Sequence, residues 1–156
     1  MELSPVPQGA MPLIPHLIVK DAAKAIDFYK KVFLAEELMR MPSPDGKKIM
    51  HAELNIAGCH LYLCDEFPDM GARSPQALGG TPVVLTLYCL DCDKVFHRAV
   101  SAGAKVVTKL EDAFWGDRYG KVKDPFGHEW MLMTRKESLT PKEIMERSKK
   151  KVLAHA

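Results

Sequence analysis

Two cysteines with the spacing C-x-x-C, Cys89 and Cys92, are the first arrangement in the sequence that could do chemistry. Zinc sites and redox-active disulfides both use this spacing. Cys89, however, lies within the apolar alternation VVLTLYCL, and Cys92 follows Asp91 at a predicted helix start. Structural zinc sites instead need four ligands that converge from tight turns. The other pair, Cys59 and Cys64, lies in a strand-like run. We therefore expect four reduced, inert thiols.

The usual catalytic sequence motifs are absent. There is no G-x-S-x-G elbow, no H-E-x-x-H, no phosphate-binding loop and no dinucleotide fingerprint. Ser43 and Ser74 lie in proline-rich loops without an evident base partner. Local motifs therefore do not predict a nucleophilic enzyme, and any site must be assembled by the fold.

Length and charge restrict the class of protein. The 156 residues, of 17.5 kDa, are enough for one domain with a real core. The 22 Lys and Arg nearly balance 20 Asp and Glu, which argues against nucleic-acid binding. No apolar run approaches the roughly 20 residues of a membrane span, and residues 1–12 lack the features of a signal peptide. We expect a cytoplasmic protein that binds neither nucleic acid nor membrane.

The elements that must position a site form an internal near-repeat. Helical periodicity over 21–33 and 91–102 follows the N-cap candidates Asp21 and Asp91, which are 70 residues apart. Gly58 and Gly127, which open the last strand of each half, are 69 residues apart. The predicted strands are 13–19, 36–41, 48–56 and 59–64 in the first half, and 83–90, 105–109, 119–123 and 129–134 in the second. The sequence thus predicts two β-α-β-β-β units.

Two further segments flank these units. Residues 65–81 form a linker of loop composition, rich in proline and glycine, which is long enough to act as a lid. A C-terminal helix is predicted over 138–152, since Thr140, Pro141 and Glu143 match a capping box with proline at the first helical position. Its lysine cluster is typical of a solvated tail.

Three motifs point to one family. They are Phe114-Trp115-Gly116-Asp117-Arg118-Tyr119-Gly120, Asp124-Pro125-Phe126-Gly127-His128 and Ser138-Leu139-Thr140-Pro141. With the tandem units, they resemble the PhnB-like branch of the vicinal oxygen chelate superfamily, which contains glyoxalase I, extradiol dioxygenases, and fosfomycin- and bleomycin-resistance proteins. The resemblance covers about residues 11–135. It implies a single α+β domain of two units, 11–64 and 82–135, whose mixed sheets curl around a central cleft.

The resemblance also implies four metal-ligand positions, on the first and last strand of each unit, that hold His, Gln or Glu. Counting along the predicted strands assigns these positions to Ile14, Tyr62, Leu85 and Met131. None is a good ligand for a divalent ion, so no cofactor is predicted. A displaced metal site is the alternative, because strand residues two apart share a face. Its ligands would be His16, His60 and Glu129.

The remaining cleft residues suit a small, partly aromatic ligand. The predicted binding residues are Ile14, Tyr62, Leu85, Trp115, Arg118 and Met131. Trp115 is interpreted either as a core aromatic or as a flat wall for a planar ligand. Asp117 and Arg118 are either a structural ion pair or groups near the mouth of the cleft, where Arg118 would clamp a carboxylate or phosphate.

Three functions remain open from the sequence. The first is a binding protein without the usual metal site. The second is a metal-dependent lyase, isomerase or dioxygenase, and the third is an interaction module with a filled cleft, so enzymatic activity is undecided. Because an isolated unit has open sheet edges and cyclic dimers are the commonest oligomers, we also expect a homodimer.

Overall fold

The computed structural model describes residues 4–7 and 9–153, with the backbone alone at 152 and 153. Its mixture of helices and mixed sheets confirms the α+β class. The chain divides into two compact units: unit 1 is Met1–Pro82 with Pro125–Gly127, and unit 2 is Val83–Asp124 with His128–Ala156. Each unit contains one four-stranded sheet.

Unit 1 has the predicted order of strand, helix and three strands. Its elements are β1 (His16–Val19), α1 (Ala22–Phe33), β2 (Glu36–Pro42), β3 (Ile49–Ile56) and β4 (Cys59–Asp65). The sheet order is β1-β4-β3-β2, in which only the β1–β4 pair is parallel. β1 is shorter than the predicted 13–19, because Pro15 has no N–H to donate and the strand begins after it.

α1 forms where the sequence predicted it and packs on one face of this sheet. The Asp21 carboxylate accepts a hydrogen bond from Lys24 N at 3.1 Å, which satisfies a free amide of the first turn. The apolar stripe of the helix is fully buried at Ala22, Ala25, Ile26, Tyr29 and Val32, against Val19, Ala52, Leu54 and Leu63 of the sheet. Each fully buried Leu, Ile or Val stabilises the fold by about 1.5–3 kcal/mol.

The linker contains more regular structure than the loop prediction allowed. A 3₁₀ turn spans Pro68–Met70, and the short helix α2 spans Pro75–Leu78. Buried Ser74 caps α2, and its own N–H donates to Glu66 Oε1 at 2.9 Å. Proline at the first position and glycine after the last explain why these residues, read as loop composition, support short helices.

Unit 2 repeats the arrangement. It contains β5 (Val84–Tyr88), α3 (Cys92–Ser101), β6 (Lys105–Asp112), β7 (Asp117–Lys123), β8 (Glu129–Arg135) and the C-terminal α4 (Pro141–Leu153). The sheet order β5-β8-β7-β6 has the same single parallel pair, β5 with β8. The hairpin of β6 and β7 is longer than predicted, because Gly116 adopts a positive φ of 94° that closes a tight turn.

α4 confirms the predicted capping box. Thr140 N donates to Glu143 Oε2 at 2.7 Å, and Glu143 N donates to Thr140 Oγ1 at 3.3 Å. Arg147 then holds Glu137 through two hydrogen bonds of 2.7 and 2.9 Å. None of the described helices is both long and apolar enough to cross a membrane.

Candidate functional site

The sheet of unit 1 has two chemically different faces. In β1, Leu17 and Val19 are buried on the side of α1, so His16 and Ile18 point to the opposite side. The same alternation holds in β3 and β4, whose buried residues include Leu54 and Leu63. We call the face turned away from α1 the open face of unit 1; it carries His16, Ile18, His51, Glu53, Asn55, His60 and Tyr62.

Three rings meet at the centre of the open face of unit 1. The centroids of His51 and Tyr62 are 4.8 Å apart, and those of His16 and His51 are 5.6 Å apart. The third pair, His16 and Tyr62, is 6.1 Å apart. All three contacts are edge-to-face, with interplanar angles of 67–88°. This geometry is favourable for aromatic pairs. We refer to His16, His51 and Tyr62 as the ring cluster.

A carboxylate orients one imidazole of the ring cluster. His51 Nε2 lies 3.2 Å from Glu53 Oε1, and the two side chains are 21% and 26% exposed. An ionised carboxylate only accepts hydrogen bonds, so Nε2 carries the proton and Nδ1 of a neutral ring keeps its lone pair. The open face of unit 1 therefore presents a histidine with a defined tautomer.

The second imidazole is held in its neutral form. Burial lowers the pKa of His16 below its ordinary value of 6.5, and the neighbouring His51 lowers it further. A neutral imidazole carries one N–H donor and one lone pair. At neutral pH, His16 thus offers a polar edge without adding a charge.

His60 is the remaining histidine of this face. Its Nδ1 is buried and has no hydrogen-bond partner within the described part of the chain. The ring lies 6.5 Å from Tyr62, and its residue pairs with Asn55 on β3. A buried ring nitrogen without a hydrogen-bond partner costs free energy, so Nδ1 of His60 does not stabilise the fold through a hydrogen bond.

The corresponding face of unit 2 has a different polar centre. Asp117 Oδ2 accepts hydrogen bonds from Trp115 Nε1 at 2.9 Å and from Tyr88 Oη at 2.8 Å. The Trp115 and Tyr119 rings are 5.0 Å apart. The indole N–H of Trp115 is therefore fixed by a buried carboxylate, and both interpretations of its ring, a core aromatic or a flat wall for a ligand, stay predictions. The Asp117 hydrogen bond and burial together raise the pKa of Tyr88.

Charged side chains of the same face neutralise one another. Glu129 binds Lys121 at 3.0 Å and Lys123 at 3.4 Å, and Lys121 lowers the pKa of Glu129 most strongly. Met131 pairs with Lys121 on β7 and with Thr86 on β5. The carboxylate of Glu129 is thus engaged by two ammonium groups.

Arg118 does not form an ion pair with Asp117, which was one of the two interpretations left open by the sequence. Its guanidinium instead grips Asp93 of α3 through two hydrogen bonds of 2.6 and 2.8 Å and contacts Asp112 at 3.2 Å. These partners raise the pKa of Arg118 and lower that of Asp93. Since Asp117 and Arg118 are successive strand residues, they point to opposite faces, and Arg118 ties β7 to α3.

Two positions assigned by counting along the first strands need correction. The sheet neighbour of Tyr62 is His16, whereas Ile14 precedes β1. The neighbour of Met131 is Thr86, whereas Leu85 pairs with buried Trp130 on the side of α3. Counting back from Val19, the true end of β1, ran past the start of the strand at His16, and the predicted end Leu90 lies two residues beyond Tyr88, the last paired residue of β5.

The corrected positions do not fit a divalent metal. Unit 1 offers the imidazole of His16 and the phenol of Tyr62, and unit 2 offers the hydroxyl of Thr86 and the thioether of Met131. A divalent ion prefers imidazole and carboxylate ligands. Across residues 4–7 and 9–153, the side chains of His, Cys, Asp and Glu form no group of three or more that could hold a metal.

The C-x-x-C cysteines are both hydrogen-bonded. Cys89 Sγ donates to Met133 O at 3.5 Å, and Cys92 Sγ donates to Arg118 O at 3.4 Å. Burial, followed by the charge of Cys92, raises the pKa of the Cys89 thiol. A raised pKa reduces the thiolate fraction and hence the reactivity of Cys89.

Unit 1 also contains a cavity of about 540 Å³ at the N-terminal end of α1. Arg40 and Lys48 are among its lining residues. Arg40 donates to Glu37 at 2.7 Å, and Lys48 Nζ donates to Glu66 O at 2.6 Å. These cations already have partners, which makes the cavity a weaker candidate than the open face of unit 1.

Sequence reasoning missed His51 and Glu53. Both lie in a correctly predicted strand, at alternate positions in His51-Ala52-Glu53. The alternation shows that they share a face, but not that this face is the one occupied by His16 and Tyr62. That information is contained in the pairing of β3 with β4, in which Glu53 lies opposite Tyr62.

Fold and motifs together define a protein of tandem β-α-β-β-β units. Residues 13–132 match the model of the Glyoxalase/Bleomycin resistance protein/Dioxygenase superfamily. The match covers most of the chain, and the chain therefore belongs to this superfamily, as the resemblance predicted.

Relatives and solved structures agree with this assignment. The uncharacterized protein Rv0887c of Mycobacterium tuberculosis is 58% identical over 123 residues, which cover 77% of this chain and 72% of that protein. The crystal structure of TioX from Micromonospora sp. ML1 matches with a TM-score of 0.64 and 27% identity, covering 81% of this chain and 99% of TioX.

A PhnB protein from Bacillus cereus, described as a putative 3-demethylubiquinone-9 3-methyltransferase, has a TM-score of 0.62. It is 18% identical and covers 80% of this chain and 99% of its own. At this identity, the likeness shows the fold alone.

Proposed function

We propose that this protein binds a small, partly aromatic molecule on the open face of unit 1, without the metal ion that the family commonly uses. The ring cluster carries the proposal. Its three rings belong to three different strands and meet edge-to-face on the side of the sheet that α1 does not cover. Stacking on such rings contributes about 0.5–1.5 kcal/mol per pair beyond the burial of apolar area.

Polar groups beside the rings supply selectivity. His16 offers a neutral imidazole, and His51 offers the ring nitrogen that Glu53 leaves without a proton. Met39 and Met41 of β2 pair with Glu53 and His51, and both methionines are exposed. An aromatic patch with a few fixed polar atoms and adaptable methionines is the composition expected of a small-molecule site.

The metal-dependent alternative has weaker support. Of its three proposed ligands, Glu129 is engaged by Lys121 and Lys123, and His60 Nδ1 is buried.

Residues Trp115 and Met131, on the corresponding face of unit 2, stay predicted ligand contacts, whereas Arg118 and Leu85 leave the proposed set. The cytoplasmic location and the homodimer also stay predictions; light scattering should give twice 17.5 kDa for the dimer.

Binding can be tested with histidine-labelled protein and three planar probes: 4-hydroxybenzoate, indole-3-acetate and phenylpyruvate. We expect at least one probe to shift the Cε1–H signals of His16 and His51 in NMR spectra and to leave exposed His97 unchanged. Tyr62→Ala should weaken binding about ten-fold, equivalent to 1.4 kcal/mol. His97→Ala is the matched control.

Two outcomes would contradict the proposal. The first is that no probe at millimolar concentration shifts His16 or His51, which would favour a filled interaction module. The second is that the purified protein holds one divalent ion per chain and that chelation abolishes probe binding. We expect chelation to leave binding unchanged.

A further inference from the structure

The cavity at the N-terminal end of α1 has an excess of positive charge. Its volume is about 540 Å³, and none of the residues of the ring cluster lines it. Four cationic side chains line it together with three carboxylates; the cations are Lys20, Arg40, Lys47 and Lys48. Whether such a cavity can hold an anion depends on which of these charges are already neutralised by a neighbour.

The three carboxylates of the cavity all have partners. Both oxygens of Asp65 accept from backbone N–H groups, one of which begins α1. Asp21 is paired at 2.7 Å with Lys24, which does not line the cavity. Glu66 Oε1 accepts from Ser74 N at 2.9 Å. The carboxylates are therefore held by groups other than the lysines of the cavity.

The three lysines of the cavity keep their charge. Lys48 Nζ donates to the carbonyl oxygen of Glu66 at 2.6 Å, and a neutral carbonyl does not cancel an ammonium charge. Within the described residues, Lys20 and Lys47 form no ion pair. Hydrogen bonds from Ser74 lower the pKa of Glu66 most strongly. The charges of Lys20 and Lys48 lower it further, which places both ammonium groups near that carboxylate.

The turn between β2 and β3 fixes the backbone of two of these lysines. Lys47 N donates to Asp45 Oδ1 at 3.1 Å, and Lys48 N donates to Ser43 Oγ at 3.0 Å. Ser43 Oγ in turn donates to Asp45 Oδ1 at 2.6 Å. A binding site whose backbone is already ordered loses less entropy when a ligand binds.

Unit 2 shows that the scaffold does not require these lysines. Lys20 precedes the N-cap Asp21 in unit 1, whereas Leu90, which is 99% exposed, precedes the N-cap Asp91 in unit 2. Residues 113–116, which join β6 to β7, likewise include no lysine. The positive charge of the cavity is thus a property of unit 1 and not of the repeated fold.

The chemistry of the cations restricts the class of anion. Arg40 donates to both oxygens of Glu37, at 2.7 and 3.1 Å, so its planar guanidinium is already occupied by a carboxylate. The remaining cations are ammonium groups, which bind phosphate as point charges. A cavity of about 540 Å³ lies in the range of small-molecule sites and is larger than a phosphate ion needs. Ala23, Pro42 and Ile49 supply an apolar wall.

We propose that this cavity binds a small phosphate monoester. Lys20, Lys47 and Lys48 hold the phosphate group, and the organic part lies against the apolar wall. The binding is non-covalent, and it goes beyond the proposed function because the cavity is separate from the open face of unit 1. Since Lys20 and Lys47 are exposed, added salt should weaken the binding.

The test is isothermal titration calorimetry of the full chain at low ionic strength. The probes are glycerol 3-phosphate and inorganic phosphate, with uncharged glycerol as the control ligand, and we expect only the two phosphates to bind. Combining Lys20→Gln with Lys47→Gln should weaken this binding about ten-fold. The matched control combines Lys105→Gln with Lys109→Gln, which removes the same charge from exposed residues of unit 2 and should leave the affinity unchanged.

NMR spectra locate the bound phosphate. We expect glycerol 3-phosphate to shift the backbone amide signals of Ala23 and Gly46, two uncharged residues that line the cavity. The ring signals of His16 and His51 should stay unchanged, because they lie on the open face of unit 1. This second measurement separates the cavity from the site of the proposed function.

Four results would overturn the inference. The first is that millimolar phosphate and glycerol 3-phosphate produce neither heat nor shifted amide signals. Equal losses of affinity in the two double variants would show a diffuse attraction to surface charge. Malonate that binds as tightly as phosphate would refute the phosphate class, since it is a dicarboxylate of similar charge. Shifts of His16 and His51 instead of Ala23 would place the anion on the open face of unit 1.

Discussion

The first turn of the helix is tied to the sheet differently in the two units. In unit 1, Ala22 N donates to the carboxylate of Asp65 at 2.9 Å, and the other oxygen of Asp65 accepts from Ile49 N at 2.7 Å. In unit 2, Cys92 N donates to the hydroxyl of Thr134 at 2.8 Å, which itself donates to Cys89 O at 2.9 Å. One scaffold position is therefore served by a charged acceptor in one unit and a neutral one in the other.

The faces turned away from the helices differ in the same way. His16 and Tyr62 are paired in unit 1 where Thr86 and Met131 are paired in unit 2. Glu53 lies opposite Tyr62, whereas Lys121 lies opposite Met131 and is held by Glu129. Unit 1 thus places imidazoles beside a carboxylate, and unit 2 pairs its charges with each other. The two units therefore share one scaffold, while the chemistry of the faces turned away from their helices differs.

The largest expected effect concerns Asp65. Asp65→Ala leaves two backbone N–H groups without an acceptor, each of which costs about 1–3 kcal/mol when buried. We expect a loss of about 2–4 kcal/mol in the free energy of unfolding, measured by urea denaturation. Thr134→Val, the matched change in unit 2, should cost about half as much. Equal losses for the two variants would contradict the distinction between the charged and neutral acceptors.

The second prediction concerns the packing of the helices. A Cβ on Gly120 would lie 2.8 Å from the Phe96 ring and 3.1 Å from Leu110, whereas the corresponding residue of unit 1 is Ala52. Gly120→Ala should therefore destabilise the protein by about 1–3 kcal/mol through overpacking.

A double variant tests whether the effect of Gly120→Ala on stability depends on the Phe96 ring. Ile26 occupies the position in α1 that Phe96 occupies in α3, five residues after the N-cap. Combining Gly120→Ala with Phe96→Ile recreates the pair found in unit 1 and should lose less stability than the two single changes together. Strict additivity in calorimetry would show that Phe96 and Gly120 do not depend on each other.

The third prediction is a pH effect confined to unit 1. Because burial and His51 lower the pKa of folded His16, the unfolded chain binds the proton more tightly, and stability falls as the pH falls through 6.5. We expect His16→Gln to lose less stability than the unchanged protein between pH 7.5 and 5.5. An NMR titration that places His16 above 6.5 would refute the assignment.

The smallest expected effect lies in unit 2. Lys121 and Lys123 lower the pKa of folded Glu129, so its contribution is present above its ordinary pKa and is lost as the pH falls through the folded value. Glu129→Gln should reduce stability at pH 7 by less than about 1 kcal/mol, as is usual for partly exposed ion pairs. Denaturation curves that differ from those of the unchanged protein only below pH 4 would contradict this expectation.

Local sequence predicted most of the elements. Both helices begin after Asp21 and Asp91, because a carboxylate cap and apolar periodicity act over a few residues. Alternation likewise located the strands, and the motifs identified the superfamily. The errors occurred at strand ends, as for Pro15, where pairing and not propensity decides the last residue.

The site required the tertiary structure, for a physical reason. Alternation shows which residues of one strand share a face, but the contact of His16, His51 and Tyr62 depends on the register between three strands. The same holds for Arg118, whose partner Asp93 lies on a different element. Local sequence was enough to predict the two units, their helix caps and the superfamily. Only strand pairing and helix packing decided which imidazoles, carboxylates and rings meet, since these contacts join residues far apart in the chain.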